Sequence, residues 1–129
     1  MSSSELRFTR AHCWARQEGG LVVVGITDYA QEQMSELTYV ELPEVGEQVE
    51  AEEEGAGVES VKAANDVFAP LAGTIAEVNE ALQEQPELVN HDPFGKGWLF
   101  KLKPANVGDL DDLLDADAYE AQLPLDDEE

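Results

Sequence analysis

The sequence predicts a mainly β protein, a small barrel or sandwich of short antiparallel strands, and three observations support this. Short runs rich in β-branched residues recur along the chain, most clearly at residues 21–26. Turn signals that contain glycine or proline separate these runs. One strand-and-turn pattern also occurs twice, at residues 40–46 and 67–73. Together these features favour a small barrel or sandwich over a parallel α/β sheet.

Each predicted element follows from its local pattern. Thr27 can cap a helix over residues 28–36. Helical spacing of Leu110, Leu113 and Leu114 predicts a C-terminal helix over residues 109–123. The predicted strands cover residues 6–10, 13–17, 21–26, 38–42, 58–61, 66–69, 74–78 and 98–103, and residues 86–97 are predicted to be loop-rich.

The repeated pattern predicts a quasi-symmetric domain. Its two copies lie 27 residues apart and keep valine, proline and glycine in the same places. Proline presets φ, and Gly46 and Gly73 permit the positive φ that a tight turn needs. A hairpin is expected between the copies, with Lys62 near its middle.

Composition indicates a single domain of 129 residues, with a core over residues 6–104, the C-terminal helix and an acidic tail at 124–129. Cys13 is the only cysteine, which excludes an intrachain disulfide and suits a reducing compartment. No apolar run approaches the roughly 20 residues that span a bilayer. Nothing at the start of the sequence is typical of a secretory signal. A cytoplasmic protein without membrane contact is therefore expected.

Charge excludes some classes of partner. Seven basic and 29 acidic side chains give a net charge of −22. This charge repels the phosphates of nucleic acids and the surface of anionic membranes. It favours encounter with proteins that carry basic patches.

Lys62 is isolated among acids. It is the only basic residue between Arg16 and Lys96, a stretch that carries 18 acidic residues. A free lysine has a pKa near 10.4 and is a poor nucleophile at neutral pH. As the acceptor of an activated acyl group it needs only exposure on a rigid turn, because the transferase can supply the base. Lys62 is thus a candidate modification site, and an ordinary solvated side chain is the alternative.

Signals of catalysis are absent from the sequence. His12 and Cys13 are neighbours, and neighbours on a strand point to opposite faces, which argues against a catalytic dyad. His91 is the only other histidine, so the sequence offers few ligands for a histidine-based metal site. The sequence contains no phosphate-binding loop or dinucleotide fingerprint. We therefore expect a protein that is not an enzyme.

Several segments, in order along nearly the whole chain, match the pattern of one known family. They are Leu6-x-Phe8-x-x-x-His12-x-Trp14, residues 24–31, 40–46, 59–63, 78–82 and 86–90, and Asp92-Pro93 with Gly97-Trp98-Leu99. On these segments the chain resembles the H protein of the glycine cleavage system, and Glu59-Ser60-Val61-Lys62-Ala63 resembles that family's lipoylation site.

The resemblance implies a lipoyl-type barrel-sandwich hybrid with lipoate amide-linked to Lys62 on a β-turn. By analogy, Glu59 helps the lipoylating enzyme to recognise its target, and Asp66 matches a residue near the docked arm. Gly46 and Gly73, located 16 residues before and 11 residues after the lysine, match glycines of lipoyl domains.

The resemblance also implies a role as a monomeric carrier. A pyridoxal-phosphate glycine decarboxylase loads an aminomethyl group, a tetrahydrofolate-dependent aminomethyltransferase removes it, and an FAD-dependent dihydrolipoamide dehydrogenase takes the electrons. A lipoate ligase or lipoyl transferase attaches the cofactor. The main alternative is a lipoate donor or relay for 2-oxoacid dehydrogenase complexes. An acidic interaction module and a biotin carrier are further alternatives, although Val61 and Ala63 stand where a biotinyl lysine has methionines.

One residue departs from the family pattern. Cys13 stands where the family usually has glutamate, which is thought to hydrogen-bond the amine of the loaded arm. A thiol is a weaker partner for a cationic amine, so weaker protection of the loaded arm is expected. If Cys13 lies near the arm it can form a mixed disulfide with the dithiol. The alternative is that Cys13 packs as a small apolar side chain.

Overall fold

The computed structural model describes residues 6–9, 12–61, 63–106, 108 and 113–122. The described part of the chain forms nine strands and four short helices. The strands are β1 (Leu6–Phe8), β2 (Cys13–Glu18), β3 (Leu21–Ile26), β4 (Leu37–Glu41), β5 (Gln48–Val49), β6 (Glu54–Ser60), β7 (Ala64–Phe68), β8 (Gly73–Val78) and β9 (Phe100–Pro104). The helices are α1 (Asp28–Met34), α2 (Ala81–Glu84), α3 (Leu88–His91) and α4 (Ala116–Gln122). None of these helices is long and apolar enough to cross a membrane.

The strands form two antiparallel sheets, as the sequence predicts. The larger sheet has the order β1-β2-β3-β9-β8-β5, and the smaller sheet has the order β4-β6-β7. Strand β3 shows how the core is arranged, since Val22 and Val24 belong to the main core and Val23 to a second cluster with Phe8, Trp14 and Tyr119. Successive strand residues face opposite sides of a sheet, so β3 is buried on both faces.

The two copies of the repeated pattern flank the central strand of the smaller sheet. Val40 on β4 and Val67 on β7 are both buried, and both strands pair with β6. Strands β6 and β7 form the expected hairpin between the copies, with Glu59 opposite Ala64. The turn that joins these two strands is therefore held by a three-stranded sheet.

The two repeat glycines are needed for different reasons. Gly46 has φ +96°, and its N–H donates to the carbonyl of Ile75 at 2.8 Å. Gly73 does not have a positive φ, so that expectation is wrong for the second copy. A Cβ at Gly73 would instead lie 2.5 Å from the carbonyl oxygen of Lys103. Glycine is required there because the backbones of β8 and β9 approach closely.

The C-terminal helix starts later than the sequence predicts. Leu114 forms an antiparallel bridge with Phe8, with N···O distances of 2.8 and 2.9 Å in the two directions. Asp115 then caps α4, because its side chain accepts from the N–H of Ala118 at 2.9 Å. The prediction of helix at residues 113–115 is therefore wrong. Residues 109–112 and 123–129, including the predicted tail, lie outside the described residues.

Candidate functional site

The turn between β6 and β7 is closed by local hydrogen bonds. The N–H of Ser60 donates to the carbonyl of Ala63 at 2.8 Å, and the N–H of Ala63 donates to Oγ of Ser60 at 3.2 Å. Val61, at the tip of this turn, is 90% exposed. Lys62 itself lies outside the described residues. Its neighbours on both sides belong to a short, hydrogen-bonded and exposed turn.

Acidic side chains lie along this hairpin and on the neighbouring strand β4. Glu59 is exposed at the end of β6, and Glu41 lies opposite Gly57 on the neighbouring strand β4. Asp66 on β7 is also exposed. A hydrogen bond to Asp66, and the charges of Asp66 and Glu41, raise the pKa of Glu54 above its usual value. Asp66 and Glu41 are thus close enough to Glu54 to disfavour its charged form.

Two clefts adjoin strand β7. The first, of about 320 Å³, lies on the smaller sheet and is lined by residues that include Glu41, Glu59 and Ala64. The second, of about 290 Å³, is lined by residues of α1 and β7 and by His12 and Cys13. Asp66 and Phe68 line both clefts. The hairpin and the second cleft are therefore connected through β7.

Helix α1 forms one wall of the second cleft through side chains that include Tyr29 and Met34. The helix begins where Thr27 caps it, accepting from the N–H of Ala30 at 3.2 Å. Beyond its end, the Asn90 side chain accepts from the N–H of Leu37 at 2.8 Å and donates to the carbonyl of Ser35 at 2.8 Å. Both ends of the wall are thus fixed by polar contacts.

Cys13 lines the second cleft but is itself buried. It is 1% exposed, and its thiol donates to the carbonyl of Phe68 at 3.5 Å. Burial raises the pKa of this thiol to about 11, although the hydrogen bonds with Thr9 and Phe68 oppose the shift. The thiolate is the form that attacks a disulfide, so this thiol is poorly placed for exchange. The structure favours packing as a small apolar side chain.

His12 occupies the wall of the same cleft in a left-handed backbone conformation, with φ +69°. Its Nδ1 lies 2.7 Å from the hydroxyl of Tyr119, and its ring centroid lies 4.7 Å from that of Tyr29. Burial lowers the pKa of His12 below its ordinary value. His12 and Cys13 therefore have different hydrogen-bond partners, although both line the same cleft.

Sequence reasoning did not identify several residues of the second cleft. Tyr29 with Gln33, and Ala30 with Met34, share a helical spacing of four residues, which could have placed each pair on one face of α1. Tyr119 reaches His12 from 107 residues away, and no local pattern signals that contact.

In the described residues, no group of three or more His, Cys, Asp or Glu side chains could hold a metal ion.

Comparisons with known proteins decide the family. The model of the glycine cleavage H-protein family matches residues 6–125. The chain belongs to the glycine cleavage H-protein family. An H protein of Thermus thermophilus is 59% identical over 116 residues, which are 90% of this chain and 91% of that protein. An H protein of Acinetobacter baumannii is 52% identical over 120 residues, covering 93% of this chain and 97% of the relative.

A solved H-protein structure agrees with the fold. The crystal structure of the H protein from Mycobacterium marinum aligns with a TM-score of 0.84 at 41% identity, covering 92% of this chain and 96% of the other. The fold is thus the lipoyl-type barrel-sandwich hybrid that the resemblance implied. H-protein membership likewise confirms the expected role, a lipoyl carrier of glycine cleavage. The comparisons do not favour the alternative of a lipoate relay.

Proposed function

We propose that the lipoyl group is attached through an amide to Lys62 and that the chain carries it between enzymes without catalysing a reaction itself. The observation that carries this proposal is the turn on either side of Lys62, which is exposed, hydrogen-bonded and mounted on a three-stranded sheet. Lys62 is also the only basic residue between Arg16 and Lys96. A modifying enzyme therefore meets one amine in this stretch and no competing lysine.

The second cleft fits the arm that Lys62 would bear. Ile26, Met34 and Phe68 provide apolar surface for a hydrocarbon chain and sulfur atoms, and Asp66 and His12 provide polar groups. When bound, the lipoyl group supplies the sulfur chemistry that carries the one-carbon unit and the electrons. The protein's own residues anchor the arm and shelter its end from water.

Further residues have proposed supporting roles. Glu59 projects from the hairpin near its tip, where a lipoate ligase or lipoyl transferase would contact it. Asp66 lines both clefts and is a candidate acceptor for the carried amine, and Cys13 lies in the same wall of the second cleft. Gly46 holds the turn of the first repeat through its bond to Ile75, and Gly73 allows the close approach of β8 and β9.

The proposed partners follow from H-protein membership. They are glycine decarboxylase with pyridoxal phosphate, aminomethyltransferase with tetrahydrofolate and dihydrolipoamide dehydrogenase with FAD. We propose that the carrier acts as a monomer in the cytoplasm. Its single cysteine is buried and its net charge of −22 opposes self-association and nucleic-acid binding, in keeping with this proposal.

Intact-mass analysis tests the attachment site. Wild type treated with lipoate, ATP and a lipoate ligase should gain the mass of one lipoyl group, and Lys62→Ala should gain none. Lys96→Ala is the matched control and should be lipoylated as wild type, since it removes a lysine outside the hairpin. An adduct that persists in Lys62→Ala, or a wild type that remains unmodified, would contradict the proposal.

A further inference from the structure

Three hydrogen-bonded side chains lie beside the second cleft. The hydroxyl of Tyr119 on α4 lies 2.7 Å from Nδ1 of His12 and 2.8 Å from Oγ1 of Thr27. Tyr119 and Thr27 are buried, whereas His12 reaches the cleft wall. The C-terminal helix is thereby connected to the cleft through one tyrosine hydroxyl.

The hydrogen-bond donors in this chain of contacts can be assigned in order. Oγ1 of Thr27 already accepts from the N–H of Ala30, so its own hydrogen needs an acceptor. Among the described residues, its remaining partner is the oxygen of Tyr119. If Thr27 donates to Tyr119, then Nδ1 of His12 is the acceptor that the described residues offer to the hydroxyl hydrogen of Tyr119. Nδ1 is then an acceptor, and the proton of the neutral imidazole is located on Nε2.

Two other observations agree with a neutral, fixed ring. Burial lowers the pKa of His12, so the imidazole carries one proton at neutral pH. The backbone of His12 is held by bonds from its N–H to Thr9 and from the N–H of Thr27 to its carbonyl. These bonds hold a left-handed φ in a residue that is not glycine, a conformation found preferentially at functional sites.

We propose that Tyr119 and Thr27 hold His12 as its Nε2–H tautomer, and that this N–H donates a hydrogen bond to the nitrogen of the carried amine in its uncharged form, at the far end of the docked arm. This inference rests on the proposed function, because it requires that the arm enters the second cleft. Tyr119 is then a positioning residue that acts from the C-terminal helix. With Cys13 buried and bonded to Phe68, His12 supplies a polar contact on this wall.

The first experiment measures the tautomer in the protein without its cofactor. Two-bond ¹H–¹⁵N correlation spectra of ¹⁵N-histidine protein at neutral pH should show His12 protonated at Nε2. Tyr119→Phe retains the ring that stacks on Phe8 with centroids 4.7 Å apart, and it should lose the preference for this tautomer. The exposed His91 is an internal reference in the same spectrum. A His12 protonated at Nδ1 in wild type would overturn the inference.

The second experiment measures ammonia release from lipoylated, loaded protein. His12→Met removes the donor and His12→Gln supplies one from a side chain of similar length. Release should be about fivefold faster in His12→Met and Tyr119→Phe, as expected when one uncharged hydrogen bond is lost. It should stay within about twofold of wild type in His12→Gln, as in the control Tyr39→Phe, which removes an exposed hydroxyl.

The outcomes separate this inference from the proposed function. Wild-type rates in both His12→Met and Tyr119→Phe, in protein with a lipoyl group on Lys62, would overturn the role of His12 and leave the carrier function standing. A wild type that cannot be lipoylated at Lys62 would overturn the proposed function together with the contact to the arm. Thermal unfolding of each variant checks that the fold is retained.

Discussion

At the scale of single residues, Cys13 is the position where we expect a departure from the family pattern. The structure places its side chain in the wall of the second cleft and bonds its thiol to the carbonyl of Phe68. A thiol gives the cleft a weak, uncharged partner where a carboxylate would give a charged one. We expect this difference to change how long the carried amine stays bound and to leave lipoylation of the chain unaffected.

Replacing Cys13 with glutamate should therefore improve retention of the carried group. We expect ammonia release from loaded Cys13→Glu to be about tenfold slower than from wild type, because a hydrogen bond to a charged group contributes about 1.5 kcal/mol or more. Cys13→Gln is the matched control, since it has the same length without the charge. Equal rates of ammonia release in wild type and Cys13→Glu would contradict the claim that Cys13 weakens retention of the carried amine.

At the scale of secondary-structure elements, α3 anchors α1, which forms a wall of the second cleft. Asn90 on α3 bonds the N–H of Leu37, the carbonyl of Ser35 and the side chain of Gln31, at 2.8, 2.8 and 2.9 Å. Three contacts from one side chain thus join the end of α1 to the start of β4. The position of the cleft wall depends on this amide.

Loss of that amide should destabilise the protein and loosen the wall. Asn90→Ala removes three hydrogen bonds, and we expect the free energy of unfolding in urea to fall by about 2–3 kcal/mol. Amide hydrogen exchange should accelerate in α1. Asn106→Ala is the control, because its side chain accepts one exposed bond from Gly108, and its stability should change little. Equal losses in the two variants would contradict a special role for Asn90.

Elements with strong local signals were predictable from sequence. The run of valines predicted β3 with the bounds that the structure shows, and Thr27 predicted the start of α1. The hairpin on either side of Lys62 followed from the repeat that flanks it. These features depend on β-branched residues, caps and turns, which act over a few residues.

Elements that depend on distant partners were missed. The two-residue strand β5 exists because Gln48 and Val49 pair with β8. Leu114 carries a helical pattern but pairs its backbone with Phe8, so β1 has a partner on its outer edge. The contact of Tyr119 with His12 likewise joins the two ends of the chain. Such long-range contacts determine which residues line the second cleft, and a single sequence does not reveal them.

At the scale of the whole molecule, charge is unevenly distributed between the two sheets. On the larger sheet, Lys101 lies 3.1 Å from Glu18 and 3.8 Å from Glu77, and Arg16 lies 3.8 Å from Glu18. The three strands of the smaller sheet contain acidic residues and no lysine, arginine or histidine. The face that bears the hairpin is therefore negative, and a partner with basic residues around its active-site entrance should be attracted to it.

This distribution predicts how docking depends on salt. In bicarbonate exchange with purified glycine decarboxylase, the KM for the lipoylated carrier should rise roughly tenfold between about 20 and 200 mM salt while kcat stays constant. Charges more than a Debye length of about 8 Å from the contact are screened at physiological salt. Acids beside the hairpin should therefore contribute more than acids elsewhere on the surface.

Two variants with the same change in net charge separate local from global effects. In carriers whose lipoyl group is confirmed by intact mass, Glu41→Gln with Glu59→Gln neutralises two acids of the smaller sheet, and Glu80→Gln with Glu84→Gln neutralises two exposed acids at α2. The first pair should raise the KM and flatten its salt dependence, because it removes charge where the partner docks. The second pair should stay close to wild type. If both pairs raise the KM equally, the net charge of the protein, and not the charge of the hairpin face, steers the encounter. If neither pair changes the KM, the prediction of electrostatic docking through the hairpin face is wrong.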